Sequence, residues 1–267
     1  MRRALTIAGS DSSAGAGIQA DLKTFAAHGV YGTSAITAVT AQHTYGIAMI
    51  QAMPDELVTA QIEAVVSDIG VDAVKTGMLP TAAIVEAVAA AVQALDLPML
   101  VVDPVMVSKS GNTLAGEEAV AALRTELLEH AFLVTPNVPE AEALAGLTIL
   151  SDDDRRESAR RIHAFGPRYV LIKGGHLGSP TIVDLLFDGT TFTEFPVERI
   201  AGPHTHGTGC TYAAAVAARL ALGHTLVESI PLVQQYVAGA IRRAPQLGHG
   251  HGPMQHFWRE KPWVDGR

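Results

Sequence analysis

Ala4-Leu5-Thr6-Ile7-Ala8, then Gly9-Ser10-Asp11-Ser12-Ser13-Ala14-Gly15-Ala16-Gly17, then the stretch from Ile18 to about His28 read as a buried strand, a loop of small residues and a helix. Gly29 stops the helix. Ile18, Leu22, Phe25 and Ala26 share one of its faces, and Gln19 and Asp21 sit in its first turns beside the loop. The same strand–loop–helix unit recurs down the chain. Strands are expected at 33–41, 47–52, 73–76, 100–102, 132–135 and 169–172, and helices at 55–69, 82–95, 116–129, 139–145 and 152–165. Thr81 is placed to cap the helix at 82. Strands at 182–187 and 191–196 flank Asp188-Gly189, a hairpin signal, and helices at 210–222 and 226–243 follow. Such alternation predicts an α/β fold with a central, mostly parallel sheet and helices on both faces, whose ligands bind beyond the carboxyl ends of the strands.

The chain has 267 residues, 48% of them hydrophobic, enough for a sizeable core, and no Pro/Ser/Gly-rich linker divides it, so one domain over 1–267 is expected. The formal charge of −8 is dispersed, without a basic stripe, and aromatic residues make up 5%; both argue against nucleic acid as a partner. The acidic run Asp152-Asp153-Asp154 is expected to open a surface helix. A lone cysteine forms no internal disulfide, and the apolar run Ala4–Ala8 is too short for a signal peptide or a membrane span, so a soluble cytoplasmic protein is expected.

Polar motifs cluster at the expected strand ends: Gly9-Ser10-Asp11, Gln42, Lys75-Thr76-Gly77-Met78, Asp103-Pro104-Val105-Met106, Thr135-Pro136-Asn137 and Lys173-Gly174-Gly175-His176. One rim carrying all six points to one site. The 9–17 loop lacks the Gly-Lys-Ser/Thr ending of a P-loop and the dinucleotide fingerprint, and reads as a close-approach wall or a plain turn. Asp21 and Gln42 offer hydrogen bonds to a neutral polar ligand, the carboxamide matching an aminopyrimidine edge; a cap or a solvated side chain is the alternative. Asn137 and Glu140 have the spacing of a loop residue and a first-turn residue that both face a hydrated magnesium ion, or of a helix cap. Lys173 ends a buried strand and reaches a transferring phosphate, unless it snorkels to the surface. His249, His251 and His256 lack acidic neighbours, which disfavours zinc.

His206-Gly207-Thr208-Gly209-Cys210-Thr211 brings flexible residues and a thiol to a helix start. Backbone N–H groups of Gly207 to Cys210 and the helix dipole there favour a phosphate, and the same field favours a Cys210 thiolate with a pKa near neutral. The alternative is a tight turn with a small buried cysteine.

These motifs, in this order and together with Gly15-Ala16-Gly17-Ile18-Gln19-Ala20-Asp21-Leu22-Lys23, Thr40-Ala41-Gln42 and the Gly250-His251-Gly252-Pro253 tail, resemble the hydroxymethylpyrimidine/phosphomethylpyrimidine kinases of thiamine biosynthesis, in the ribokinase superfamily. The resemblance implies a ribokinase-like fold and a homodimer. It also implies ATP- and magnesium-dependent phosphorylation of 4-amino-5-hydroxymethyl-2-methylpyrimidine and then of its monophosphate. By that resemblance Gln42 binds the pyrimidine, Asp21 and Met78 line its pocket, and Gly9 and Val105 lie close by. Cys210 takes the position of a general base, with Gly207, Thr208, Gly209 and Lys173 around the transferring phosphate. Asn137, Lys173 and Thr208 would contact the nucleotide, and Asp103 and, through water, Glu140 the metal. Pro203-His204 departs from the family's more polar lead-in, which bears on that loop's nucleotide contacts. Pyridoxal kinases share the cysteine-containing scaffold, but pyridoxal lacks the edge that Gln42 reads. A non-catalytic sensor of the same precursor would have no use for Lys173 and the glycine loop.

Overall fold

The computed structural model describes residues 1–107, 111, 113–174, 181–200 and 202–259. Gly175-His176 lie outside them. In chain order the elements are β1 (Arg3–Asp11), α1 (Gly17–Ala27), β2 (Tyr31–His43), β3 (Gly46–Ala52), α2 (Asp55–Asp68), β4 (Ala73–Thr76), α3 (Ala82–Ala94), β5 (Leu100–Val102) and α4 (Glu117–Ala122). They continue with β6 (Leu133–Val134), α5 (Val138–Ala145), α6 (Asp152–His163), β7 (Tyr169–Ile172), β8 (Thr181–Phe187), β9 (Phe192–Glu198), α7 (Thr208–Ala221) and α8 (Leu226–Arg242).

The strands form one sheet in the order β3-β2-β1-β4-β5-β6-β7-β8-β9. Pairing from β2 through β7 is parallel, and β3, β8 and β9 add antiparallel edges. Successive residues of the short central strands serve opposite faces. Val74, Val102, Val134 and Val170 enter the core under α2 to α6, while Ala73, Val101, Leu133 and Leu171 enter the core under α1, α7 and α8. Ala213, Ala214, Ala215, Ala217 and Ala218 of α7 are fully buried, and such small side chains let that helix lie close against the sheet.

The expected caps and turns are present: Thr81 accepts from the Ile84 N–H at 3.3 Å, Ser151 caps α6 and its acidic run, and Phe187 pairs with Phe192 across the Asp188-Gly189 hairpin. Several boundaries differ. β2 runs from 31 to 43, because β1 pairs it from Tyr31 and β3 pairs it out to His43. The helix expected at 116–129 is α-helical only to Ala122 and then widens into a π turn over Leu123–Leu127. Ala26 is exposed rather than on the buried face of α1, where Thr24 and Asp21 sit instead. No helix among the described residues is long and apolar enough to cross a membrane.

Candidate active site

A cavity of about 820 Å³ opens at the carboxyl ends of β1, β4, β5, β6 and β7, as a doubly wound sheet requires. At one end it is walled by Gly9, Gln42, Met78 and Val105; in the middle by Asp103, Asn137, Glu140, Lys173 and the 207–210 turn; and at the other end by Asp184, Tyr212, Gln234 and apolar side chains of β8, β9 and α8.

The helix after the glycine turn begins earlier than expected. Gly207, with φ +79°, is itself the N-cap, so α7 starts at Thr208 and Cys210 lies in its first turn. Only glycine serves at 207, because a Cβ there would stand 1.8 Å from the Gly15 carbonyl oxygen. No side chain caps α7, so first-turn N–H groups of Gly209 and Cys210 are offered to the cavity. Thr208 contributes less than expected: its N–H donates to the Thr205 carbonyl at 3.3 Å, and its hydroxyl to the same oxygen at 2.7 Å.

Lys173 is held rather than snorkelling. Its Nζ donates to Asp103 Oδ1 at 3.0 Å and would stand 3.4 Å from a Cβ on Gly209, which puts the ammonium at the mouth of the helix start. Burial alone would depress this lysine, but Asp103 and Glu140 outweigh it and the charge is retained. Asn137 and Glu140 form a reciprocal cap on α5: Asn137 Oδ1 accepts from the Glu140 N–H at 3.0 Å, and Glu140 Oε2 accepts from the Asn137 N–H at 2.8 Å. Both still line the cavity. Burial pushes the Glu140 carboxyl up to about 7, Lys173 pulls it down and Asp103 adds to the rise. An Asn137→Ala variant is expected to lose about 1 kcal/mol of stability, a fall in Tm of about 2–4 °C in a thermal melt.

Two expectations are overturned. Asp21 does not face the cavity: fully buried, it accepts from Thr6 Oγ1 at 2.6 Å and from Lys75 Nζ at 2.8 Å. Its place on the inner face of α1 turns the carboxylate toward β1 and β4. Lys75, which the sequence reading left without a role, is the surprise; its signal was a charged residue inside a buried four-residue strand. Nor is Cys210 a ready thiolate. Burial pushes the thiol up to about 12, and Asp103 and Asp21 add to this against the pull of Lys75 and an N–H from Gly17. The helix-start field is outweighed by desolvation.

His206, Asp11 and Thr40 also line the cavity beside Gln42, and Asp184 accepts from the Gly174 N–H, Tyr212 Oη and Gln234 Nε2, each at 2.9 Å, at the other end. His204 is not among the residues that line the cavity, and its ring lies against Gly252. In the tail, His256 meets Thr211 Oγ1 at 3.0 Å and His251 the Pro203 carbonyl at 3.1 Å.

An uncapped helix start, a lysine beside it and a polar pocket on the same rim define an α/β phosphotransferase site. The phosphomethylpyrimidine kinase family profile matches residues 11–255, and the chain belongs to that family. It is 52% identical to the thiamine biosynthesis bifunctional protein ThiED of Geobacter sulfurreducens, over 95% of this chain and 52% of that protein, so it spans about half that relative's length. It is 46% identical to the hydroxymethylpyrimidine/phosphomethylpyrimidine kinase of Bacillus subtilis, over 96% of this chain and 94% of that one. Among solved structures, an ADP complex of Bacillus subtilis pyridoxal kinase superposes with a TM-score of 0.89 at 42% identity, covering 96% of this chain and 97% of that one. The fold is ribokinase-like.

Proposed function

We infer that this chain is an ATP-dependent kinase of thiamine biosynthesis that phosphorylates 4-amino-5-hydroxymethyl-2-methylpyrimidine on its hydroxymethyl oxygen and then phosphorylates the monophosphate. The observation that carries this is the placement of Gln42 at one end of a single cavity and of Lys173 and the open start of α7 at its middle. The ring then rests between Gly9, Met78, Val105 and Gln42, with its alcohol toward Cys210. ATP takes the other end, its base in the apolar slot near Val237 and its phosphates near Asn137, Thr208 and Lys173.

In the first step the hydroxymethyl oxygen bonds to the γ-phosphorus, the bond from that phosphorus to the β–γ bridging oxygen breaks, and the alcohol proton passes to the thiolate form of Cys210, a small fraction at neutral pH, which becomes the thiol. Gly209 and Cys210 N–H groups and the Lys173 ammonium meet the charge on the transferring group. In the second step the acceptor is already a phosphate oxygen and needs no base. Asp103 and Glu140 are hard oxygen donors on the phosphate side, a set that suits a magnesium ion keeping most of its waters, Glu140 acting through one of them. When bound, magnesium would supply charge neutralisation for the phosphates.

The unbroken nine-stranded sheet supports one kinase domain over 1–267. A homodimer and a cytoplasmic location rest on the family resemblance. Pyridoxal is the second substrate to weigh, since a pyridoxal kinase shares the fold at 42% identity. Incubation with ATP and magnesium and each of hydroxymethylpyrimidine, its monophosphate and pyridoxal, with products read by mass, is expected to give pyrimidine mono- and diphosphate, and chelation by EDTA to stop both. Predominant pyridoxal 5′-phosphate would move the assignment to vitamin B6, and no product from any of them would leave a sensor.

A further inference from the structure

His206 Nε2 stands 2.8 Å from Asp11 Oδ2 and 3.1 Å from the Nε2 end of the Gln42 amide. The Oε1 end of that amide stands 3.2 Å from Thr40 Oγ1, which is 3.0 Å from the Ser10 carbonyl. Asp11 is a carboxylate: it also accepts from Ser13 Oγ and from the N–H groups of Ser13, Gly15 and Ala16. Burial would raise its pKa, yet the bonds from His206 and Ser13 keep it below the usual range. A carboxylate and a carbonyl only accept. His206 Nε2 therefore carries the hydrogen it gives to Asp11, and Thr40 spends its one hydrogen on Ser10. An NH2 group facing that imidazole N–H, and a carbonyl facing the Thr40 lone pairs, would be two repulsions. Turning the amide half a revolution about its last bond changes no shape: the one His206 Nε2 hydrogen, with Asp11 Oδ2 at 2.8 Å and the amide end at 3.1 Å, is then shared between two acceptors in a three-centre bond, and the amide NH2 donates to Thr40 Oγ1.

We propose that Asp11, His206 and Thr40 lock the Gln42 amide with its carbonyl toward His206 and its NH2 toward Thr40, and so fix which hydrogen-bonding edge the cavity reads. His206 and Thr40 are positioning residues that act through Gln42. Each amide end retains one free position: a lone pair on Oε1 and a hydrogen on Nε2. A 4-aminopyrimidine fills both, its exocyclic amine donating to Oε1 and its adjacent ring nitrogen accepting from Nε2. A 4-oxo ring presents the reverse edge, a bare acceptor beside a ring N–H, and only an amide free to turn accommodates it. The proposal rests on the placement of the pyrimidine against Gln42 given above.

The test compares kcat/KM for 4-amino-5-hydroxymethyl-2-methylpyrimidine and for its 4-oxo analogue, with KM for ATP as a control. The native enzyme is expected to favour the amino substrate by about 10²-fold or more. His206→Leu and, independently, Thr40→Val are each expected to cut that ratio by about tenfold or more, mostly through KM for the pyrimidine, with KM for ATP unchanged. His206→Gln, which keeps an N–H within reach of Asp11 and Gln42, is expected to restore it. Parallel losses on both substrates with the ratio intact in His206→Leu and Thr40→Val would show scaffolding only and overturn the lock. A Gln42→Leu variant separates the two levels: if it also leaves the ratio intact, the substrate does not rest on Gln42 and the underlying placement fails. If Gln42→Leu collapses the ratio and the other two do not, the lock alone fails.

Discussion

Cys210→Ala is expected to lower kcat for phosphorylation of the hydroxymethyl alcohol by about 10²–10⁴-fold, and kcat for the monophosphate by less than about tenfold. The difference follows from the acceptors. An alcohol must shed a proton as its oxygen bonds to phosphorus, whereas a phosphate oxygen is already anionic. The same asymmetry sets a pH signature. With the thiol pushed up to about 12 by burial, the thiolate is a small fraction at neutral pH and grows about tenfold per pH unit below that value. First-step kcat/KM therefore rises across the neutral range. Glu140, pushed up to about 7 by burial, also titrates there, but both steps share it, so above the second ionisation of the monophosphate acceptor, at about pH 6, the ratio of first to second step isolates the thiol. A ratio independent of pH, or equal losses in Cys210→Ala, would remove Cys210 from the proton's path.

Lys75→Met is expected to have the largest effect on stability, about 3–5 kcal/mol, a fall in Tm of about 10 °C or more. Lys75 and Asp21 are both fully buried and 2.8 Å apart, and removing the lysine leaves a carboxylate with no counter-charge in the core. Burial alone would depress Lys75, but Asp21, with Cys210 and Asp103 beyond it, holds the ammonium above the ordinary lysine value. Its contribution is therefore complete below that ordinary value and is lost only as strongly alkaline pH approaches the raised one. The double variant Asp21→Leu/Lys75→Met is expected to recover much of the loss, because an apolar pair of similar volume needs no compensation. A melt in which Lys75→Met matches the native protein would show that the pair is not retained for stability. Loss of this charge also withdraws the main attraction that offsets desolvation of the Cys210 thiolate, so first-step activity is expected to fall in whatever protein remains folded.

The alternation of strands and helices was legible because the central strands carry apolar side chains to both faces, Val74, Val102 and Val134 to one and Ala73, Val101 and Leu133 to the other, and helices such as α3 begin on a readable cap. The rim of polar motifs was legible for the same reason: in a parallel sheet every strand delivers its last residues to one side. Asp21 was misread because its spacing on α1 says only that it is near the loop, not which way the helix is rolled. Cys210 was misread because a helix start predicts stabilisation of a thiolate, while desolvation depends on what α7 is packed against. His206 was quoted for its neighbours, and its contact with Asp11 joins residues 195 apart, which no local pattern reveals.

That last contact bears on how the protein is made. Gly15 and Gly207 meet backbone to backbone, and His206 closes on Asp11 and Gln42, so the pocket's inner wall comes from the start of the chain and its floor from α7. A polypeptide emerging from the ribosome holds Asp11, Thr40 and Gln42 early but lacks both His206 and the phosphate cradle until the start of α7 has been synthesised. Closing so wide a loop is among the slow events of folding. Competence to transfer phosphate thus arrives as one of the last acts of assembly, and a truncated chain ending before Gly207 carries half a pocket and no chemistry.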